Sequence, residues 1–242
     1  AGLLGAAARP AAPATPRARR ALSAWVWTFA GRPSGLPLAH HSVFFSGDYA
    51  AEFQDLDRRR RPPADPTIYV CAQDRTSLDA PQPDGPGAPE RLLMILNAPA
   101  DGDLGPPSPE EMHRCTTATF GRLAASGLTL APPEPSPETL TTPDRFAAMF
   151  PGTGGSLYGA NPHGMMHGAL SPFTRPTARS KLPGLYLAGG GCHPGPGVPM
   201  AARSGRRAAA AILADLASTS RSVPAATPGG ISTGSRTTAS AR

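Results

Sequence analysis

Alternation of apolar and polar residues is clearest near the middle of the chain. From Thr67 to Ala72 every second residue is aliphatic, a period of two that predicts a strand with one buried face. Arg91 to Ala98, RLLMILNA, lacks this alternation and predicts a strand buried on both faces. Val43 to Phe45 predicts a third strand, whereas residues 22–31, LSAWVWTFAG, are apolar without a period that defines their structure.

Helix signals occur on both sides of these strands. Asp48 to Leu56 predicts a short helix, and Pro109 to Gly127 predicts a longer one because acidic residues begin it and a glycine ends it. Thr142 to Phe150 predicts a further helix with Thr142 as its N-cap and a proline at its first position. The alanine-rich run from Pro199 to Ala217 predicts the last helix.

That last helix carries a stripe of apolar and small residues. Three arginines and Asp215 are predicted to lie off the stripe, away from the surface that it packs against. The stripe comprises Met200, Ala201, Ser204, Gly205, Ala208, Ala209, Ile212, Leu213 and Leu216.

The glycine-rich segment before this helix reads GLYLAGGGCHPGPGVPMAARSG. Leu185 to Ala188 predicts a short buried strand that three glycines terminate. Residues without a Cβ let a ligand or another backbone approach closely. A dinucleotide fingerprint does not fit, because starting it at Gly189 places Pro194 where the third glycine belongs. The segment therefore predicts a site that another part of the protein completes.

Charge and composition limit the remaining choices. The net charge of +6 is spread along the chain, and the block from Arg58 to Arg61 lies between acidic residues and two prolines. It predicts a solvated loop rather than a phosphate-binding patch, so no nucleic-acid partner is expected. Cys71, Cys115 and Cys192 form no CxxC pair, which favours a reducing cytoplasm over a disulfide framework.

Other chemistry-bearing patterns are weak. His163 and His167 are four residues apart, but flanking glycines and a proline disfavour the helix that would make them metal ligands. The adjacent His40 and His41 predict one buried and one exposed ring, so no metal site is expected. Cys192 lacks an orienting partner for nucleophilic catalysis and is interpreted as a small residue in a tight loop.

The order of several segments resembles the phytoene desaturase type of FAD-dependent carotenoid oxidoreductases. HPGPGVPM, preceded by GLYLAGG and followed by an alanine-rich helix, resembles the carboxyl-terminal signature of that family. HHSVFFSGDYAAEF, DPTIYVCAQDR, ERLLMILNAPADGD and LYGANPHG occur upstream in the family's order. The resemblance covers roughly residues 20–217. Within the family it is strongest to the bacterial hydroxyneurosporene desaturases, which act as carotenoid 3,4-desaturases.

The resemblance implies an α/β fold that forms the carboxyl-terminal part of a two-domain FAD-dependent oxidoreductase. An incomplete dinucleotide-binding domain would accompany a mixed-sheet α+β substrate domain, because the family's opening strand, GxGxxG and helix are not in this sequence. The implied division is a Pro/Arg-rich segment at 1–21 continuing from an amino-terminal half, the remainder of the substrate domain at 22–160, the FAD-binding part at 161–217 and a disordered tail at 218–242.

The implied flavin loop comprises Gly189, Gly190, His193, Pro194, Gly195, Gly197, Val198, Pro199 and Met200. The implied reaction is hydride removal and C=C formation in an acyclic hydroxylated carotenoid such as hydroxyneurosporene. The flavin carries that chemistry, so no catalytic acid or base is assigned, and His193 is interpreted either as a flavin or substrate contact or as a support for the loop.

Three alternatives remain open at this point: a noncatalytic fragment, a flavin amine oxidase and a carotenoid isomerase. A lipid-soluble carotenoid partner implies peripheral membrane contact for a cytoplasmic protein, since no apolar run reaches the roughly 20 residues of a membrane span. The sequence does not indicate an electron acceptor.

Overall fold

The computed structural model describes residues 4–12, 14–75, 85, 87–161 and 175–221. A sheet of five strands in the order β3-β4-β5-β1-β7 forms its centre, and a two-stranded sheet pairs β2 with β6. The strands are β1 (Ser23–Gly31), β2 (Ser34–Gly35), β3 (His41–Phe44), β4 (Ile68–Ala72), β5 (Glu90–Ala98), β6 (Leu128–Thr129) and β7 (Leu140–Thr141). The helices are α1 (Tyr49–Asp57), α2 (Pro109–Ala125), α3 (Pro143–Met149) and α4 (Val198–Arg221).

The five-stranded sheet differs from the mixed sheet that the family resemblance implies. Every strand pair within it is antiparallel. The segment 22–31, whose structure the sequence pattern leaves open, forms β1 from Ser23 to Gly31, and this strand pairs along its whole length with β5. This segment becomes a strand because of that long-range partner, and local periodicity does not reveal such a partner.

One face of the sheet packs against α2 and forms the main hydrophobic core. Trp25 and Trp27 of β1 lie beside Met94 and Leu96 of β5 in this core. The ring of Phe120, on α2, meets Trp27 edge to face with centroids 6.1 Å apart. Burial of such large aromatic surfaces is a dominant stabilising contribution in a domain of this size.

The prediction that β5 is buried on both faces is wrong. Its residues alternate between buried and more exposed positions, and Leu93 and Ile95 are only half-buried. Leu93 and Ile95 lie on the face of the sheet opposite the one that packs against α2. We call this face the open face. Across β3, β4, β5 and β1 the open face carries His41, Val43, Tyr69, Cys71, Leu93, Ile95, Val26 and Thr28.

The other predicted elements are close to those observed. β4 alternates as predicted, with the aliphatic positions buried, and β3 covers most of the predicted third strand. The side chain of Asp48 caps α1 by accepting from the Ala51 N–H at 2.9 Å. Thr142 precedes α3 as predicted, but its hydroxyl donates to Asp144 Oδ1 instead of accepting from the helix backbone.

Most of the arginine block is exposed, as a solvated loop requires, and three of its four arginines also form ion pairs. Arg59 and Arg61 both contact the carboxylate of Asp55. Arg60 contacts Asp101, whose carboxylate also accepts from Arg17 at 2.7 Å. Carboxylates from α1 and from the turn after β5 therefore offset part of the charge of this block, and they would compete with any phosphate for the same guanidinium groups.

The carboxyl-terminal part departs from its prediction in three places. Leu185 to Ala188 form no strand, because only the isolated bridge from Tyr186 to Arg179 pairs with them among the described residues. α4 continues to Arg221, so residues 218–221 are helical. The rest of the predicted disordered tail, 222–242, lies outside the described residues.

The predicted stripe of α4 is rotated relative to the buried one. Ser204, Ala208 and Ala211 are buried, whereas Leu213 and Leu216 are exposed. Asp215, predicted to lie off the stripe, accepts hydrogen bonds from Arg179 and from the hydroxyl of Tyr186. In the part of the chain that the structure describes, no helix is long and apolar enough to cross a membrane.

Candidate functional site: the glycine loop and the open face

Residues 189–197, here called the glycine loop, lead directly into α4. Gly189, Gly195 and Gly197 have φ values of +122°, +138° and +100°, a region that side chains with a Cβ rarely adopt. An added Cβ at Gly189 or Gly197 would meet no atom within 4 Å. These glycines are therefore required by backbone conformation and leave an open surface rather than a packed contact.

Hydrogen bonds hold the start of this loop against α4. The Gly189 N–H donates to Ser204 Oγ at 2.7 Å, and that hydroxyl donates to the carbonyl of Ala201 at 2.7 Å. Ser204 is only 1% exposed, so a buried serine links the loop to the first turns of the helix. This arrangement fixes the distance between the glycine backbone and the helix N-terminus.

α4 begins directly where the glycine loop ends. The first helical hydrogen bond runs from Ala201 N–H to Gly197 O at 2.9 Å, so the N–H groups of Val198 and Met200 lie before the regular hydrogen-bond ladder. A helix start combines such N–H groups with a partial positive charge and favours negatively charged or electron-rich partners.

Arg175 braces the glycine loop from the other side. Its guanidinium donates to the carbonyl oxygens of Tyr158, Ala160 and Gly190, each at 3.2 Å. The residue is 7% exposed, and burial lowers the pKa of its guanidinium. Among the described residues no carboxylate forms an ion pair with it. The sequence analysis missed this brace, because nothing in the local pattern around Arg175 indicates which carbonyl groups lie near it.

The predicted flavin-loop residues all lie between Gly189 and Met200, in the glycine loop and the start of α4. Gly189, Gly190, His193, Pro194, Gly195 and Gly197 belong to the loop, and Val198, Pro199 and Met200 begin α4. Val198 is 85% exposed and Met200 is 39% exposed. His193 is half-buried and its N–H donates to the carbonyl of Pro176 at 2.8 Å, a backbone bond that leaves both interpretations of its ring open.

The cysteines give no sign of nucleophilic chemistry. All three are free thiols. Burial raises the pKa of Cys192, although the nearby Arg175 opposes that shift, and burial raises the pKa of Cys115 much further. Because the thiolate is the reactive form, both residues are disfavoured as nucleophiles at neutral pH.

A cluster of polar side chains lies at the β3 edge of the open face, and we call it the polar corner: His40, His41, Tyr69 and Cys71. The Tyr69 hydroxyl lies 2.7 Å from His41 Nδ1, and their rings stack with centroids 5.8 Å apart. The sulfur of Cys71 lies 3.8 Å from His40 Nε2. Burial and the neighbouring Cys71 raise the pKa of Tyr69, which therefore keeps its proton at neutral pH.

The two histidines of this corner differ in exposure. His40 is half-buried and His41 is exposed, and His40 Nδ1 contacts the carbonyl of Arg75. One ligand-type atom from each of His40, His41 and Cys71 lies within 4.8 Å of the others, a grouping that the sequence spacing does not show because β4 supplies the cysteine. His163 and His167 lie outside the described residues.

Two surface cavities lie elsewhere, near the start of α2 and its outer face. A cavity of about 220 Å³ is lined by Arg17, Arg60 and Asp101 among others. A second, of about 530 Å³, is lined by residues that include Arg61, His113 and Cys115. Neither is lined by the glycine loop or the polar corner, so the candidate site rests on those two features rather than on cavity size.

Comparison with known proteins supplies the family. A family model described as flavin containing amine oxidoreductase matches residues 37–213. The chain is 51% identical over 98% of its length to the hydroxyneurosporene desaturase of Rubrivivax gelatinosus and 50% identical over 91% to that of Cereibacter sphaeroides. It is 30% identical over 74% of its length to a 4,4'-diapolycopene oxygenase of Methylomonas sp..

The chain spans less than half the length of these relatives, covering 43%, 42% and 35% of them respectively. The family match nevertheless extends over most of the chain and includes β3, β4, β5, α2 and the glycine loop. On this evidence the chain belongs to the flavin-containing amine oxidoreductase family.

Proposed function

We propose that the complete protein to which this chain belongs is an FAD-dependent desaturase of a hydroxylated acyclic carotenoid such as hydroxyneurosporene. The observation that carries the proposal is the near-complete coverage of this chain at 47–51% identity by three hydroxyneurosporene desaturases. The glycine loop and the open-face residues of β3, β4 and β5 lie within the residues 37–213 that the family model matches.

In this proposal the glycine loop and the start of α4 form one wall of the FAD site. The open backbone at Gly189 and Gly197 lets a flat ring approach without a side-chain clash. The N–H groups and the partial positive charge at the start of α4 would favour an electron-rich ring placed beside them. When bound, FAD would accept a hydride from one carbon of the substrate, the adjacent carbon would lose a proton to water, and the electrons of that second C–H bond would form the C=C bond.

The open face serves as a wall for the carotenoid chain. Val26, Val43, Leu93 and Ile95 present aliphatic surface that is half-buried or exposed in the described structure. Covering such surface with a hydrocarbon removes it from water at a gain of about 25 cal/mol per Å². A polyene has no polar groups along its length, so this aliphatic surface needs no hydrogen-bonding side chains to bind it. We include in the proposal the division into a substrate domain at 22–160 and an FAD-binding part at 161–217.

The substrate's solubility determines where the protein works. A carotenoid resides in a membrane, so the protein meets its substrate at the bilayer surface. The proposal therefore includes peripheral membrane contact from the cytoplasmic side. No electron acceptor is assigned.

Expression of the complete coding sequence in cells that accumulate hydroxyneurosporene tests the activity. Desaturation lengthens the chromophore and lowers the product's mass by two hydrogen atoms, which absorption spectra and mass spectrometry detect. An unchanged pigment, with the protein present at normal abundance, would refute the proposed desaturase. A geometric isomer of unchanged mass would instead support the carotenoid isomerase alternative.

A matched pair of glycine variants tests the role of the glycine loop in that assay. Gly197→Ala places a Cβ on a residue with φ of +100° on the open surface, whereas Gly205→Ala adds one inside α4 with no atom within 4 Å. We expect Gly197→Ala to lose most of the pigment shift and bound FAD, and Gly205→Ala to keep both. Equal behaviour of the two variants would contradict the assigned flavin wall.

The family description itself favours one second candidate, a flavin amine oxidase. Incubating the purified complete protein with primary and secondary amines and measuring hydrogen peroxide separates the two activities. Peroxide that depends on the amine, without any change in carotenoids, would favour this candidate.

A further inference from the structure

The polar corner interrupts an otherwise largely apolar surface. Tyr69 pairs across strands with Val43 on one side and Ile95 on the other, and Ile95 pairs with Val26. A row of aliphatic side chains therefore extends from the tyrosine across β5 to β1. Because neighbouring strands lie about 4.8 Å apart, the row covers about 10 Å beyond the strand that carries Tyr69.

The corner has hydrogen-bonding capacity left over on its exposed side. The Tyr69 hydroxyl and His41 Nδ1 share one hydrogen bond, which leaves an oxygen lone pair and the Nε2 atom of His41. A phenol offers one donor and two acceptor sites, and a neutral imidazole offers one of each. Whichever tautomer His41 adopts, the pair can still offer at least one acceptor to a ligand, and His41 is exposed.

We propose that Tyr69 and His41 bind the terminal hydroxyl group of the carotenoid substrate and so select hydroxylated chains. This inference rests on the proposed desaturase function. A hydroxyl at the end of a hydrocarbon needs polar partners at one point only, and the open face provides that pattern: one polar corner beside an aliphatic row. Specificity for hydroxylated substrates then comes from this hydrogen bond, whereas the aliphatic row binds hydroxylated and unhydroxylated chains alike.

The test compares two substrates in the complete, FAD-loaded protein: a hydroxylated acyclic carotenoid and its parent without the hydroxyl. Tyr69→Phe removes one oxygen atom and keeps the ring, and His41→Leu removes the imidazole. A hydrogen bond of this kind contributes about 1 kcal/mol, so each variant is expected to reduce the preference in kcat/KM for the hydroxylated substrate by about 5-fold. Val43→Ala, beside Tyr69 on the same face, serves as the control and should lower kcat/KM for both substrates equally.

The outcomes separate this inference from the function on which it rests. If the wild-type protein desaturates neither carotenoid, the proposed function itself fails. If it desaturates them but Tyr69→Phe and His41→Leu leave the preference unchanged, only the hydroxyl site is overturned. Stoichiometric zinc in the purified protein that Cys71→Ser abolishes would also overturn it, because His40, His41 and Cys71 would then form a metal centre.

Discussion

Two regions of this molecule are stabilised in different ways. The sheet region, residues 22–149, buries tryptophans, leucines and a methionine between the five-stranded sheet and α2. The loop and helix region, residues 175–221, buries mainly small side chains of α4 such as Ser204, Ala208 and Ala211. Three of its larger apolar residues, Val198, Leu213 and Leu216, are more than 60% exposed.

The difference shows what each region contributes. The sheet region holds its shape through its own core and offers one open face beside it. The loop and helix region instead exposes backbone at the glycine loop and an apolar face on α4, which are surfaces suited to contact with other groups. Stability should therefore depend strongly on substitutions in the first region and weakly on those in the second.

Breaking an ion pair gives the largest expected difference in stability between the two regions. Arg75 donates to both carboxylate oxygens of Glu90 at 2.7 Å, and the two side chains are 9% and 1% exposed. Removing one partner of such a buried pair leaves an uncompensated charge, so Arg75→Met should lower the free energy of unfolding by about 3–5 kcal/mol. Arg179→Met breaks an exposed pair with Asp215 and should cost far less, because solvent screens such a pair. Urea denaturation followed by circular dichroism measures both; equal losses would contradict the contrast.

Truncation of leucines compares the two regions with a single chemical change. Leu123, on α2, is fully buried, whereas Leu213, on α4, is 68% exposed. Leu123→Ala should cost about 2–5 kcal/mol because it leaves a cavity in the core. Leu213→Ala should change the unfolding free energy of the same chain by no more than about 0.5 kcal/mol. A large loss from Leu213→Ala would show that α4 packs more tightly than its exposure indicates.

Acid should weaken the sheet region through Asp101. Burial opposes ionisation of this carboxyl, but hydrogen bonds from Arg17 and Arg60 outweigh burial and lower its pKa to about 2. Because this folded-state pKa lies below the ordinary value of 3.8, the stabilisation is fully present above about pH 5 and disappears as the pH falls towards 2. Asp101→Asn should be less stable than the wild type at neutral pH and converge with it near pH 2. A pH-independent difference in denaturation midpoint would exclude this linkage.

The smallest expected effect is the contribution of the loop and helix region to FAD binding by this chain. A helix N-terminus contributes about 0.3–1 kcal/mol to anion binding in an exposed setting, which is small beside the roughly 4–15 kcal/mol cost of association. Residues 1–242 are therefore expected to bind FAD weakly or not at all in a titration followed by flavin fluorescence. Submicromolar, stoichiometric binding would show that the glycine loop is a self-sufficient cofactor site.

The sequence predicted elements best where local signals determine them. The alternation in β4, the Asp48 cap of α1 and the glycine after α2 all depend on nearby residues, and each element forms close to its predicted bounds. The glycines of the loop are visible in the sequence because positive φ angles, as at Gly189, Gly195 and Gly197, favour glycine; their role beside a flavin stays a prediction.

Features that depend on distant partners could not be predicted in this way. β1 becomes a strand through its pairing with β5, and β5 has one open face because α2 covers only the other. The strand predicted at Leu185 to Ala188 is reduced to a single bridge, because its pairing with the described residues is limited to the contact of Tyr186 with Arg179. The polar corner and the Arg175 brace join residues far apart in the chain, so periodicity gave no sign of either.

Anaerobic single turnover of the complete protein tests the proposed reaction most directly. Protein that holds oxidised FAD is mixed with a hydroxylated acyclic carotenoid in the absence of oxygen, and the absorption of both chromophores is followed. We predict that the flavin absorption bleaches as the carotenoid band moves to longer wavelength, with one new double bond formed for each flavin reduced. A carotenoid change without flavin reduction, or an unchanged mixture with the flavin still bound, would contradict flavin-dependent desaturation.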